Sequence, residues 1–217
     1  MHLWDDLKGH LEIPFRKYAY VKDSNGQHVS LYGDRLKKVS QYDKDDPTLH
    51  ESDIPPMTRF LVDQYGDSDE ASTGHRTMFF DIEVEVTEGF PDVQKAQNPI
   101  TSIALYDCTT ETYFTYCFDP HKRIEDYTKG DEVVEFYETE YEMLNKFFQK
   151  YLEIRPTILS GWNSEFFDIP YLYNRAVRVL GPELANLLSP ISQVIYSEYK
   201  KKHTIAGVSS LDYLQLY

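Results

Sequence analysis

"MFFDIEVEV", residues 78–86, decides how the chain is read. A strand turns successive side chains to opposite faces, so Asp81, Glu83 and Glu85 share one side. Phe80, Ile82, Val84 and Val86 share the other. One face suits a core; the other carries three acids in a row. Two accounts fit that acidic face. Either it is the solvated side of an ordinary half-exposed strand, or it holds a cation, because stacked carboxylates repel unless a positive charge lies between them.

The surrounding pattern is strand-rich, then alternating. Strands are expected at 77–86, 100–107, 112–118 and 133–137, and a helix at about 139–153, where Tyr141, Leu144, Phe148 and Leu152 recur at spacings of three and four. Pro156 stops that helix, and "TILSGWN" (157–163) reads as another buried strand. A second helix is expected at about 169–179, broken by Gly181-Pro182, with a short helical piece after it. The stretch 194–217 reads as two strands about a basic tip, then one more strand or helix. Three antiparallel strands followed by helix, strand and helix is the order of an RNase H-like α/β domain, a mixed sheet flanked by helices; other mixed sheets share it. Residues 1–65 mix strand-like pieces ("YAYV", "HVSLYG") with turns, 43–56 read as a loop, and "GDSDEASTGH" (66–75) has linker composition. The expected division is a small partial N-terminal domain with its linker at 1–75 and the α/β domain at 76–217.

Composition narrows the classes. Of 217 residues, 41% are hydrophobic and 15% aromatic, which supports a packed core and argues against global disorder. No apolar run is long enough to span a bilayer, and no secretory signal opens the sequence. Cys108 and Cys117 show no zinc-ligand spacing and are expected as free thiols in a reducing compartment, so a cytoplasmic protein without membrane contact is expected. A formal charge of −14 argues against gripping duplex DNA by its phosphates alone. It leaves nucleic acid open as the substrate of a cation-holding site.

"GWNSEFFDIPYLYNR" (161–175) supplies a further acid. Asp168 falls where strand gives way to helix, so it can project from the sheet toward Asp81 and Glu83; it can equally cap the helix. With these residues in place, a family is recognisable. "FDIEV" (80–84) followed by "GWNSEFFDIPYLYNR" resembles the first and second exonuclease motifs of family B DNA polymerases, especially those of T-even-type bacteriophages. The likeness extends through "EGFP" (88–91), "LSP" (188–190) and "VSSLDYLQLY" (208–217), and more loosely to "SLYG" (30–33).

That resemblance implies part of a family B DNA polymerase carrying most of a two-metal 3′–5′ proofreading exonuclease domain. Asp81, Glu83 and Asp168 would be its catalytic, metal-holding acids for Mg²⁺ or Mn²⁺, and Phe90 and Asn163 would meet the substrate. Lys200, Lys201 and Lys202, in the basic run "YKKKH" (199–203), would meet phosphates on a hairpin that keeps primer and template apart. Phe90 also has an account as a turn anchor beside Pro91, and the lysines as a solvated tip. Implied partners are single-stranded or frayed primer-template DNA and the C-terminal polymerase portion; for a phage protein the place is the host cytoplasm. The family's third motif, Tyr-x-x-x-Asp, has no match after Asp168; Tyr42/Asp46, Tyr65/Asp69 and Tyr127/Asp131 fit the spacing but precede it. Asp212 lies downstream and is expected to be a hydrogen-bonding acid. The chain alone is therefore expected to be inactive or very weak, and its start to enter the N-terminal domain partway. A non-catalytic RNase H-like module that binds single-stranded nucleic acid or a polymerase partner is the competing reading.

Overall fold

The computed structural model describes Trp4 and residues 16–86, 89–121 and 123–217. The remainder of the opening segment and Glu88 of "EGFP" lie outside the described residues. Two compact units form, one from residues 72–217 together with Trp4, the other from the described residues up to Ala71.

In the smaller unit, strands β1 (Ala19–Lys22), β2 (His28–Val29), β3 (Arg35–Val39) and β4 (Leu49–His50) make a sheet of order β2-β3-β1-β4. Helix α1 (Pro56–Tyr65) follows, with proline at its first turn, where the missing N–H costs nothing. This helix and β4 correct the sequence reading, which placed a loop over 43–56 and no helix before residue 65. Arg59 of α1 is buried, bonded to Glu51 at 2.6 Å and stacked 4.4 Å from the Tyr18 ring centroid.

The larger unit holds β5 (Thr77–Val84), β6 (Ile100–Asp107), β7 (Thr112–Phe118), β8 (Tyr127–Lys129), β9 (Glu132–Tyr137), β10 (Ile158–Gly161) and β13 (Ser209–Asp212) in one sheet, ordered β13-β10-β5-β6-β7-β9-β8. Strand β5 runs antiparallel to β6 and parallel to β10, so the sheet is mixed. Helices α2 (Glu140–Ile154), α3 (Asp168–Val179), α4 (Pro182–Ala185) and α5 (Tyr213–Leu216) accompany it, with a 3-10 turn at Asn186–Leu188. Strands β11 (Val194–Ser197) and β12 (Lys202–Ile205) form a separate antiparallel hairpin. The fold is RNase H-like.

Local chemistry accounts for the main helix. Thr139 caps α2, its hydroxyl accepting from the Glu142 amide at 3.2 Å and donating to the Glu142 carboxylate at 2.8 Å. Arg155 closes the helix in the left-handed region, φ 52°, and Pro156 cannot continue it. Its buried stripe is Met143, Leu144, Phe147, Phe148, Tyr151 and Ile154. Tyr141, expected in that stripe, is exposed, because the two apolar pairs 143–144 and 147–148 set the phase. Met78, Phe80 and Ile82 of β5 meet this stripe, with Ile169, Leu172 and Ala176 of α3 completing the core.

Candidate functional site

Strand β5 alternates as its sequence requires: Met78, Phe80 and Ile82 are buried, and Phe79, Asp81 and Glu83 face out. Its last partner in β10 is the pair Phe79–Ser160, yet β5 continues to Val84. The Ile82 amide therefore has no strand beside it on that side. Asp168 takes it, Oδ1 accepting from Ile82 N at 3.0 Å. Asp168 begins α3 but is not its capping residue; Phe167 holds that position and makes no side-chain cap.

Asp168 is only 3% exposed. Burial pushes its carboxyl up to about 7, the Ile82 amide opposes that, and the negative charges of Asp81 and Asp212 add to the rise. Such an arrangement favours either a proton or a cation at neutral pH.

The connection from β10 to α3 is held from the far side. Asp212, also 3% exposed, accepts three backbone amides: Asn163 at 2.9 Å and Leu214 at 3.0 Å on Oδ1, and Glu165 at 3.0 Å on Oδ2. It is the hydrogen-bonding acid the sequence suggested. Asn163 takes φ 59°, a left-handed conformation that asparagine tolerates better than most residues. A Cβ on Gly161 would lie 2.8 Å from the Phe80 carbonyl oxygen, so only glycine lets β10 approach β5 this closely before the turn.

Phe90 is 80% exposed, and its ring stands 5.3 Å from that of Phe167. Pro91 beside it is buried. Asp81 and Asp168 are thus brought together, and Glu83 shares Asp81's face. Among the described residues no three His, Cys, Asp or Glu side chains stand close enough to hold a metal ion by themselves.

The lysines divide. Lys200 and Lys201 are exposed at the hairpin, with Lys201 paired to Glu198 at 2.9 Å. Lys202 belongs to β12, and its Nζ lies 2.5 Å from the buried Glu165, which also accepts from Gln215. That pairing engages Lys202 with a buried carboxylate, whereas Lys200 is exposed and Lys201 pairs only with an exposed one. Glu85 is exposed, as read. Cys108 and Cys117 are free and half-buried, and burial pushes both thiols up. Among the described residues no helix is long and apolar enough to cross a membrane.

An RNase H-like sheet with two aspartates near each other, one on β5 and one at the head of α3, defines the class. Residues 64–217 match DNA polymerase family B, exonuclease domain, and the chain belongs to that family. It is 34% identical over 171 residues to the DNA-directed DNA polymerase of Escherichia phage RB69, covering 65% of this chain and 19% of that protein. With the DNA-directed DNA polymerase of Enterobacteria phage T4 it shares 33% over 165 residues, 62% of this chain and 18% of the relative. The DNA polymerase delta catalytic subunit of Schizosaccharomyces pombe is 31% identical over 159 residues, 65% and 14%. The chain thus spans about a fifth of the length of the phage relatives.

Proposed function

We propose that the chain carries the 3′–5′ proofreading exonuclease site of a family B DNA polymerase, acting on single-stranded or frayed primer ends. The observation that carries this reading is Asp168: a buried carboxyl, oriented by the Ile82 amide, beside the carboxylate of Asp81. The donor set is all carboxylate oxygen, which suits Mg²⁺ or Mn²⁺. Magnesium sites commonly use one or two carboxylates with water and substrate phosphate, so a convergent pair fits without a third acid.

Asp81 and Asp168 would hold the ions, and Glu83, on Asp81's face, would join them. When bound, two divalent ions supply an activated water and stabilise the leaving 3′-oxygen of the phosphodiester. Phe90, exposed beside Phe167, offers a ring on which a terminal base stacks. Asn163, at the turn into α3, would meet the same end. Lys200 and Lys201 would meet phosphates of a strand held apart from its complement. Full activity would call on the polymerase portion.

Titration with Mn²⁺, followed by electron paramagnetic resonance, tests the reading. Binding should be clear in the native chain and strongly weakened by Asp81→Ala. Equal binding by both chains overturns the assignment of the site. The competing reading, a non-catalytic RNase H-like module, draws on the absence of a three-acid group among the described residues. It predicts no Mn²⁺ site at all.

A further inference from the structure

The motif's tail, "PYLYNR", lies beyond Asp168 and has no part in the chemistry above. On α3, residues 168, 171, 174 and 175 fall at spacings of three and four, so they share one face. Three of them reach the same segment, residues 93–98. The Tyr171 hydroxyl donates to the Asn98 carbonyl at 2.8 Å, and Asn174 Nδ2 to the Val93 carbonyl at 2.9 Å. Arg175 Nη1 donates to the carbonyls of Ala96 at 3.1 Å and Gln97 at 2.7 Å. Arg175 is itself fixed by a two-bond fork to the buried Glu140, at 2.8 and 2.6 Å, and Glu140 also accepts from the Ile100 amide at 2.8 Å. Tyr171, Asn174 and Arg175 Nη1 all donate to carbonyls of one loop, and that loop carries Phe90.

We propose that Tyr171, Asn174 and Arg175 are positioning residues: they clamp the 90–98 loop to the helix that begins with Asp168, and so set Phe90 at a fixed height above that carboxylate. The helix is the ruler. About two turns of α3 convert hydrogen bonds to loop carbonyls into the place of a ring beside Phe167. Binding of the terminal base and alignment of its phosphodiester with Asp168 are then one event. This rests on the reading of Phe90 as a base-stacking residue, and the test separates the two.

The variants are mild. Tyr171→Phe removes one hydroxyl, and Asn174→Ala one amide, without stranding the Glu140 charge. The first measurement is the nuclear Overhauser contact between the Phe90 and Phe167 rings in the folded full chain. The clamp predicts its loss or marked weakening in the double variant; its persistence overturns the proposal. The second is anisotropy of a short fluorescein-labelled oligothymidylate, with Ca²⁺ replacing Mg²⁺. Affinity should fall roughly threefold to tenfold in Asn174→Ala. It should fall no further when Asn174→Ala is added to Phe90→Ala, a coupling that a merely structural role would not produce. Equal losses in both backgrounds overturn the proposal. If Phe90→Ala alone leaves affinity unchanged, the base-stacking reading fails, and the clamp is judged by the ring contact.

Discussion

Asp168 combines a cost and a use. The unfolded chain releases this proton near 3.8 and the folded chain near 7. Its contribution to stability is therefore intact below about 4 and is lost as pH rises through 7. Asp168→Asn keeps an acceptor for the Ile82 amide and removes the titration. In chelator, urea unfolding should show the variant more stable than the native chain at pH 8 by a few kcal/mol, at ~1.4 kcal/mol per unit, with little difference at pH 4. A variant less stable at pH 8 would mean that the carboxylate is better solvated than its burial implies. The outward face of β5 for Asp81 and the strand-to-helix boundary for Asp168 were legible in the sequence, though each also fitted a plainer account, a solvated face and a helix cap. The convergence of Asp212 on three amides was legible only in kind. Which backbone groups lose their strand partners depends on register, and register is not written locally.

At the scale of elements, β6 and β7 fall where alternation placed them, and α2 and α3 lie within a residue of their expected limits. These segments carry their own caps and stops. Thr139→Ala should cost about 1 kcal/mol in thermal or urea unfolding, mostly from the orphaned Glu142 amide. Helix α1 was missed because its one strong signal, Pro56 at the first turn, sits in a run that otherwise reads as loop. The hairpin separates two kinds of lysine. Replacing Lys200 and Lys201 with serine should leave the urea midpoint essentially unchanged, since the one pair lost is exposed. It should also flatten the salt dependence of oligonucleotide binding by up to about two counterions. Lys202→Ser should instead destabilise by about 2 kcal/mol and leave that salt slope alone, because it strands Glu165. The opposite pattern would put Lys202 rather than Lys200 and Lys201 on the phosphates.

For the whole molecule, 36 acidic against 22 basic side chains set the conditions of binding. Single-stranded DNA should bind this chain well only with a divalent ion present, and adding EDTA should weaken binding by about tenfold or more, read by anisotropy. Binding indifferent to EDTA would place the contact on the lysine tip. The sheet's order has a consequence for biosynthesis. From β5 through β9 each strand joins a neighbour made shortly before or after it, whereas β10 docks on β5 only once Ile158 can face Thr77, and β13 on β10 later still. A nascent chain therefore meets the ribosome exit with β5 open along one edge, a template for any stray strand. Pulsed hydrogen exchange during refolding should protect β6, β7 and β9 first, and residues 158–168 and 209–212 last. The two aspartates lie on opposite sides of that late seam, so the cleft between them is absent until the last strands arrive.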